Sequence, residues 1–244
     1  MSLSEKVIMT EVKMPIIGYM QSPYLEKFGI PRQPNLVQVE SYIEMCAPYN
    51  DLLAFEGIED FSHLWLIWQF HDNKNGSNSE KFRPQVRPPR LGGNQKIGVF
   101  ATRSMYRPAA IGLSVVQLKS VEKVGKSVRV HVTGSDLLNG TPILDIKPYI
   151  HYSDAVDGAQ SGYAQVQPEI KLVRWSVEAE QLKQDLLHQQ KVTQQHVQEL
   201  EAVLSLDPRP AYQEDAQRIY GMNFAGIEVK FMVAEDGVEI LNIV

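Results

Sequence analysis

Two arginines occupy a turn in which an ordinary β-hairpin would carry Asn-Gly or Asp-Gly. Arg103 and Arg107 lie between two apolar stretches, residues 98–102 and 111–113. A guanidinium group can hold two oxygens of a carboxylate or a phosphate at once, and it stays charged at physiological pH. The turn therefore predicts a binding site for an anionic ligand.

A second pair of polar side chains lies in a turn that prolines brace on both sides. Arg32 and Gln33 are flanked by Pro31 and Pro34. A braced turn holds polar groups for recognition at low entropic cost, and a plain connecting loop seldom needs such bracing. We expect this turn to contact a ligand.

Two further segments place polar groups beside predicted strands. The aromatic segment 61–70 is most simply a buried strand, and the pair His71-Asp72 at its end lies where the rim of a barrel would hold a ligand. Residues 134–140 form a glycine-bounded turn that contains Asp136 and Asn139. These two side chains either bind a ligand or only cap the turn through bonds to its backbone, and both interpretations stand.

Residues 81–107 carry seven cationic side chains and no Asp or Glu. The cations are Lys81, Arg83, Arg87, Arg90, Lys96, Arg103 and Arg107. The formal net charge of the chain, −5, argues against a general nucleic-acid coat protein, but this stretch would create a local positive field. It is either a surface for phosphates or carboxylates or a solvated loop.

Several common chemistries have no support in the sequence. It lacks the glycine triplet of dinucleotide-binding proteins, a phosphate-loop lysine and a His-Glu-x-x-His motif. The single cysteine, Cys46, can form neither an internal disulfide nor a zinc site, and we expect no bound metal. The first residues lack the blocks of a signal peptide, and no apolar run is long enough to cross a bilayer. We therefore expect a cytoplasmic protein without a membrane partner.

Short runs of β-branched and aromatic residues dominate the first two thirds of the chain. They predict strands at residues 15–19, 36–43, 62–70, 96–102, 111–121, 127–134 and 143–149, with a hairpin turn at 123–126 and a flexible polar loop at 73–79. Because no helix-length segment separates most of these strands, we expect a closed β-barrel rather than a parallel sheet.

The last third of the chain differs in composition. A polar linker at residues 154–167 precedes a predicted strand at 169–176, one long helix at 177–206 with a polar gap near 189–195, and a hairpin built from 227–231 and 238–241. The expected fold is mainly β, with an N-terminal barrel domain at residues 1–160 and a smaller C-terminal α+β domain at residues 161–244.

Taken in order, the polar segments resemble the TrmO family of tRNA methyltransferases, formerly the YaeB or VirR group. The matching segments are 27–34, 61–72, 98–114 and 134–149, and the C-terminal run Asp207-Pro208-Arg209-Pro210-Ala211-Tyr212 matches a further family segment. The resemblance implies a compact barrel and a homodimer. It also implies that S-adenosylmethionine donates a methyl group to the exocyclic nitrogen of N6-threonylcarbamoyladenosine at tRNA position 37.

The resemblance further implies which residues bind the cofactor, and the basic stretch indicates which residues would contact the tRNA. Cofactor contacts are expected at Arg32, Gln33, His71, Asp72, Arg103, Leu113, Asp136, Leu137, Leu138, Asn139 and Gly140. The tRNA anticodon loop is expected to follow the basic stretch through Arg83, Arg87, Arg90 and Arg107, with Arg209 and Tyr212 contributing. One departure is Arg107-Pro108-Ala109-Ala110, where the family has arginine-proline-asparagine-proline, so the amide of that asparagine is missing.

The nitrogen to be methylated is amide-like in this nucleoside and must lose its proton, so a general base is expected. His71 and Asp72 are the candidates for this catalytic role. Two alternatives remain, namely a barrel that binds RNA without chemistry and a methyltransferase that acts on a protein or a small metabolite. The second alternative would need no extended basic surface, whereas the first would share it and differ in binding no sulfonium nucleoside. The ordered motifs of the resemblance favour the tRNA methyltransferase.

Overall fold

The computed structural model describes residues 12–72, 82–92, 94–209, 213 and 215–244. Its strands are β1 (Gly18–Gln21), β2 (Glu40–Met45), β3 (His63–Gln69), β4 (Gln85–Val86), β5 (Ile97–Gly98), β6 (Ile111–Val124), β7 (Ser127–Thr133), β8 (Pro142–Pro148), β9 (Val173–Trp175), β10 (Tyr220–Phe224), β11 (Ile227–Ala234) and β12 (Gly237–Ile243). Its α-helices are α1 (His151–Asp154), α2 (Val177–His188) and α3 (Gln194–Ser205). The mainly β class expected from the sequence is confirmed.

Six antiparallel strands form a closed barrel in the order β1-β2-β7-β6-β3-β8, and the pairing of β8 with β1 completes it. The alternation of apolar and polar residues along a strand decides which side chains fill the barrel interior. In β7, Val128, Val130 and Val132 are fully buried, whereas the residues between them are only partly buried. This is the pattern of a strand with one buried face, because successive side chains point to opposite sides.

The pairing of β3 with β6 brings two of the predicted ligand segments together. Gln69 at the end of β3 pairs with Ile111 at the start of β6. The residues that follow β3 and those that precede β6 therefore lie at the same end of the barrel. The hairpin turn predicted between β6 and β7 is also present, with Gly125 at a φ of 60° that other residues rarely adopt.

The strand predicted at residues 96–102 is wrong beyond its first residues. Only Ile97–Gly98 pairs, with β4, and Val99–Ala101 forms a 3₁₀ turn. The turn is held because the Val99 amide donates to the Pro84 carbonyl at 2.9 Å and the Thr102 hydroxyl donates to the Val99 carbonyl at 2.8 Å. The loop predicted at 73–79 lies outside the described residues.

The C-terminal part has a four-stranded sheet in the order β10-β11-β12-β9, in which β9 runs parallel to β12. The single helix predicted at 177–206 is wrong, since α2 and α3 are separate helices. Gln190 takes a left-handed φ of 55°, and the Thr193 side chain then caps α3 by accepting from the His196 amide at 3.1 Å. None of the helices in the described ranges combines the length and apolarity needed to cross a membrane.

The segment between β1 and β2 belongs to the core of the C-terminal sheet. Tyr24, Val37 and Val39 are buried in the same cluster as the residues of α3, β10, β11 and β12. The Glu40 amide also donates to the buried Glu199 carboxylate at 2.8 Å. The turn at residues 31–34, which lies within this segment, is therefore anchored from both sides.

Candidate active site

A cavity of about 530 Å³ opens at the end of the barrel where β3 ends and β6 begins. Its lining comes from five parts of the chain, at residues 27–33, 68–72, 102–107, 111–113 and 136–141. Cavities of this size hold small-molecule ligands and cofactors in many proteins. The barrel register, which closes β3 against β6 and β8, is what brings these distant segments together.

Most of the residues predicted to contact a cofactor line this one cavity. They are Arg32, Gln33, His71, Asp72, Arg103, Leu113, Asp136 and Leu138. Arg107, which was predicted to contact tRNA, lines it as well. Leu137 lies instead in the barrel core, and the lining includes neither Asn139 nor Gly140.

Asn139 and Gly140 hold the turn against β1. The Ser22 amide donates to Asn139 Oδ1 at 3.1 Å, and the Asn139 amide donates to the Tyr24 carbonyl at 2.8 Å. The Gly140 amide donates to the Met20 carbonyl at 2.7 Å. These bonds fix the turn that carries Asp136 and Leu138 at the edge of the cavity.

The cavity joins polar and apolar surfaces. Arg103 Nη1 donates to Gln33 Oε1 at 2.6 Å, which ties the arginine turn to the braced turn. Leu113 is 51% exposed although it lies on a barrel strand, because its side chain alternates with the buried Gly112 and Ser114. The arrangement can hold a ligand that has both an anionic group and a flat apolar face.

The Asp136 carboxylate ends a chain of hydrogen bonds that begins in the barrel core. Trp68 Nε1 donates to Ser114 Oγ at 3.0 Å, and Ser114 Oγ donates to Asp136 Oδ1 at 2.7 Å. Burial raises the pKa of Asp136 to about 6, and the Ser114 hydrogen bond and the Arg103 charge oppose this only in part. Gly112 makes room for the indole, since a Cβ there would lie 2.2 Å from the Trp68 ring.

His71 and Asp72, predicted as catalytic, line the cavity in a more exposed setting. The Lys27 ammonium lies 3.3 Å from the Asp72 carboxylate and also donates to its carbonyl. Both members of this ion pair are over 40% exposed, so solvent screens the interaction. Nothing in the sequence indicated that Lys27 is part of the site, because a single lysine in a loop belongs to no recognisable binding motif.

A hydrogen bond from Arg32, which lines the cavity, connects the cavity to the C-terminal residue Arg209. Arg32 Nη2 donates to the Arg209 carbonyl at 2.8 Å. The Arg209 guanidinium is directed away from solvent, with two nitrogens each 2.8 Å from the Asp207 carboxylate and a third 3.2 Å from the Val233 carbonyl. Burial alone would raise the pKa of Asp207, but the Arg209 hydrogen bonds and charge outweigh it and the pKa lies below its ordinary value.

The Arg209 side chain is therefore engaged inside the fold, and its predicted contact with tRNA stays a prediction. Its side chain is 13% exposed, and Asp207 takes a left-handed φ of 50° that brings its carboxylate back onto the guanidinium. Tyr212, the other predicted C-terminal contact, lies outside the described residues.

The last two arginines of the basic stretch, Arg103 and Arg107, line the cavity. Arg83, Arg87 and Arg90 are exposed in the segment that surrounds β4. Arg107 Nη1 donates to the Thr102 carbonyl at 3.2 Å, and both of these residues line the cavity. No group of three or more potential metal ligands occurs among the described residues.

Sequence reasoning missed Trp68, Phe70, Ser114 and Thr141 as parts of the site. Trp68, Phe70 and Thr141 line the cavity, and Ser114 connects Trp68 to Asp136. Residue types gave no signal for them, because aromatic and hydroxyl side chains on strands usually belong to cores. Their role depends on strand register.

The fold and the cavity define a β-barrel protein with arginines in the wall of a cavity large enough for a small molecule. The tRNA-methyltransferase O N-terminal domain matches residues 19–155, and the TrmO C-terminal domain matches residues 168–244. The chain belongs to the TrmO family.

Similar proteins support this assignment along nearly the whole chain. The Escherichia coli (strain K12) tRNA (adenine(37)-N6)-methyltransferase is 40% identical over 95% of this chain and 97% of its own. A Pseudomonas aeruginosa protein described as a putative S-adenosylmethionine-dependent methyltransferase, RcsF, is 43% identical over 87% of this chain and 89% of its own. The crystal structure of TrmO from Pseudomonas aeruginosa superposes with a TM-score of 0.78 at 33% identity, covering 97% of this chain and 100% of that one.

Proposed function

We propose that this chain transfers the methyl group of S-adenosylmethionine to the exocyclic nitrogen of N6-threonylcarbamoyladenosine at position 37 of tRNA. The relatives named as tRNA (adenine(37)-N6)-methyltransferases support the reaction and the position. The observation that carries the proposal is that Arg32, Gln33, Arg103 and Asp136 line one cavity. Arg103 belongs to the basic stretch at residues 81–107, which contains no Asp or Glu. The threonylcarbamoyl group of the substrate is inferred from the family resemblance.

The donor set of the cavity fits the cofactor. Arg103, which Gln33 orients, and Arg32 both offer a guanidinium to its carboxylate. The exposed face of Leu113 and the neighbouring apolar wall suit its adenine ring, and the turn at residues 136–140 offers polar backbone groups for its ribose and adenine edge. When bound, S-adenosylmethionine supplies an electrophilic methyl group.

Asp136 is the general base that the arrangement of the cavity favours. Ser114 fixes one carboxylate oxygen, so the other, Oδ2, would accept the proton of the substrate nitrogen. A base works best when its pKa lies near the working pH, and burial raises the pKa of Asp136 to about 6. His71 and Asp72 lie in a more exposed part of the cavity, where Asp72 is paired with Lys27.

The remaining parts of the chain would bind and position the tRNA. Arg83, Arg87, Arg90 and Arg107 would contact phosphates of the anticodon loop. We further propose two units, residues 1–160 and 161–244, and a homodimer, as the resemblance implies. Arg209, the other predicted tRNA contact in the described residues, would also hold Arg32 at the cavity through its carbonyl.

The test is methylation of purified tRNA that carries threonylcarbamoyladenosine at position 37, followed by nucleoside mass spectrometry. The expected product is N6-methyl-threonylcarbamoyladenosine, and tRNA with unmodified adenosine 37 is the matched substrate control. Absence of this product with intact protein and cofactor would refute the proposal.

The same material separates the two alternatives. A barrel that only binds RNA would retain the tRNA but bind no S-adenosylhomocysteine in calorimetry. A methyltransferase for a protein or a metabolite would bind S-adenosylhomocysteine, and its activity would not depend on salt, because it would contact no phosphate backbone.

A further inference from the structure

Two phenylalanines lie on the surface of the basic stretch, outside both hydrophobic cores. Phe82 is 58% exposed and Phe100 is 72% exposed. Their rings stack on each other with centroids 6.1 Å apart and an angle of 27° between the planes. Neither residue lines the cavity, so the site described above does not account for them.

We propose that the Phe82–Phe100 pair is a stacking platform for an unpaired base of the tRNA anticodon loop, next to the nucleotide that enters the cavity. This inference rests on the proposed tRNA substrate and adds a recognition surface to it. Exposed aromatic rings hold single-stranded RNA because every base has a flat face that stacks on them.

The backbone around the pair explains why both rings meet on one surface. Gln85 pairs with Gly98 and Val86 with Ile97, so the chain on either side of this ladder is brought side by side. The bond from the Val99 amide to the Pro84 carbonyl extends the contact toward the two phenylalanines. The platform is therefore built by local pairing and needs no ligand to form.

The charge around the platform fits RNA better than a protein surface. Arg83 follows Phe82 directly and is exposed, and the exposed Arg87 comes next to β4, the strand that pairs with β5 just before Phe100. The segment 82–107 contains no Asp or Glu that would repel phosphates. Cations for the backbone beside aromatic rings for the bases are the usual components of a surface for single-stranded nucleic acid.

The platform is also close to the reaction site along the chain. Phe100 lies two residues before Thr102, and Thr102 and Arg103 both line the cavity. The Thr102 side chain and amide both bond to the Val99 carbonyl, which fixes the path from Phe100 to the cavity wall. A loop whose target base enters the cavity would thus bring a neighbouring base to the rings.

The test uses an anticodon stem-loop RNA with threonylcarbamoyladenosine at position 37 and measures binding by fluorescence anisotropy. Phe100→Ala and Phe82→Ala should each weaken binding roughly 5- to 150-fold, the range for loss of one base–aromatic stack. Phe100→Tyr, which keeps a ring, should retain most of the affinity, whereas Phe100→Leu should not. In a second readout, 5-iodouridine in the loop should crosslink to Phe82 or Phe100.

Tyr152→Ala is the matched control, because Tyr152 is an aromatic residue 89% exposed on a different part of the chain. It should leave RNA binding unchanged, and none of the phenylalanine variants should alter the affinity for S-adenosylhomocysteine. Thermal unfolding of each variant checks that the fold is retained.

Wild-type affinity in both alanine variants, with no crosslink to either ring, would overturn the inference. A shift of the variants to a smaller species in sedimentation would also overturn it, and would assign the pair to an interface with a second copy of the chain. If the wild type binds the stem-loop through the rings but transfers no methyl group, the proposed function fails and the platform stands. If it methylates and the variants do so equally well, the platform fails alone.

Discussion

Replacing Asp136 with asparagine should make the protein more stable and nearly inactive. Asparagine has the same shape and its Oδ1 can still accept the hydrogen bond from Ser114. What the substitution removes is the ability to carry a negative charge at this half-buried position in the cavity wall. The variant therefore separates the cost of that charge from the packing of the side chain.

The pKa of Asp136 gives the size of the effect. Burial raises it from 3.8 to about 6, a difference of about 2 units, which corresponds to about 3 kcal/mol. Between these two values the folded state binds more protons than the unfolded state, so this group makes the protein less stable as pH rises. The penalty is absent below pH 3.8 and complete above about pH 6.

Urea unfolding of wild type and Asp136→Asn at several pH values measures this directly. We expect the variant to be more stable by up to about 3 kcal/mol at pH 8, with the gain shrinking toward pH 4. Asp145→Asn is the control, because that carboxylate is 41% exposed and ion-paired with Lys147 at 3.0 Å. Its effect should stay within about 0.5 kcal/mol at every pH.

Kinetics complete the test. The wild-type kcat should rise with pH through an apparent pKa near 6 as the carboxylate ionises, and the variant should lose roughly 10²- to 10⁴-fold in kcat together with that limb of the profile. An equal loss of stability at all pH values would refute the assignment of a buried charge. A raised KM for the cofactor with an unchanged kcat would refute the base and leave a binding role.

Four further substitutions and a change of salt concentration test the rest of the site. Arg103→Ala should weaken S-adenosylhomocysteine binding roughly 10- to 100-fold in calorimetry, and an unchanged affinity would contradict its role toward the carboxylate. Gly112→Ala should lower the free energy of unfolding in urea by about 1–3 kcal/mol and weaken S-adenosylhomocysteine binding, because the added methyl group displaces the Trp68 indole. Unchanged stability would show that the ring can move freely. Asp207→Asn should weaken ligand binding, because the Asp207 carboxylate holds Arg209 and the Arg209 carbonyl holds Arg32. The double variant Asp207→Asn with Arg32→Ala should bind little worse than Arg32→Ala alone, and additive losses would mean that the two residues act separately. The KM for tRNA should rise steeply with salt while S-adenosylhomocysteine affinity stays nearly constant, and a salt-independent KM would argue against phosphate contacts.

Local pattern was sufficient for most of the strands and for many of the residues that line the cavity. The alternation in β7 predicted its buried face, and the unusual residue types in the turns of Arg103 and Arg32 indicated two segments that the structure brings to one cavity. The same reasoning failed at residues 96–102 and at the single long helix. Both segments have the expected polarity, but hydrogen bonds to Pro84 and the Thr193 cap decided their conformation.

The sequence by itself determined which segments carry charge, which faces are apolar and where the chain turns, because these properties depend on neighbouring residues. Only the tertiary structure decided which polar groups meet. Ser114 reaches Asp136 through strand register, and Arg209 is engaged by Asp207 because a left-handed backbone folds the carboxylate back. A one-residue change of register would move every side chain of a strand to the opposite face, so pairings of this kind are set by closure of the barrel and not by local composition.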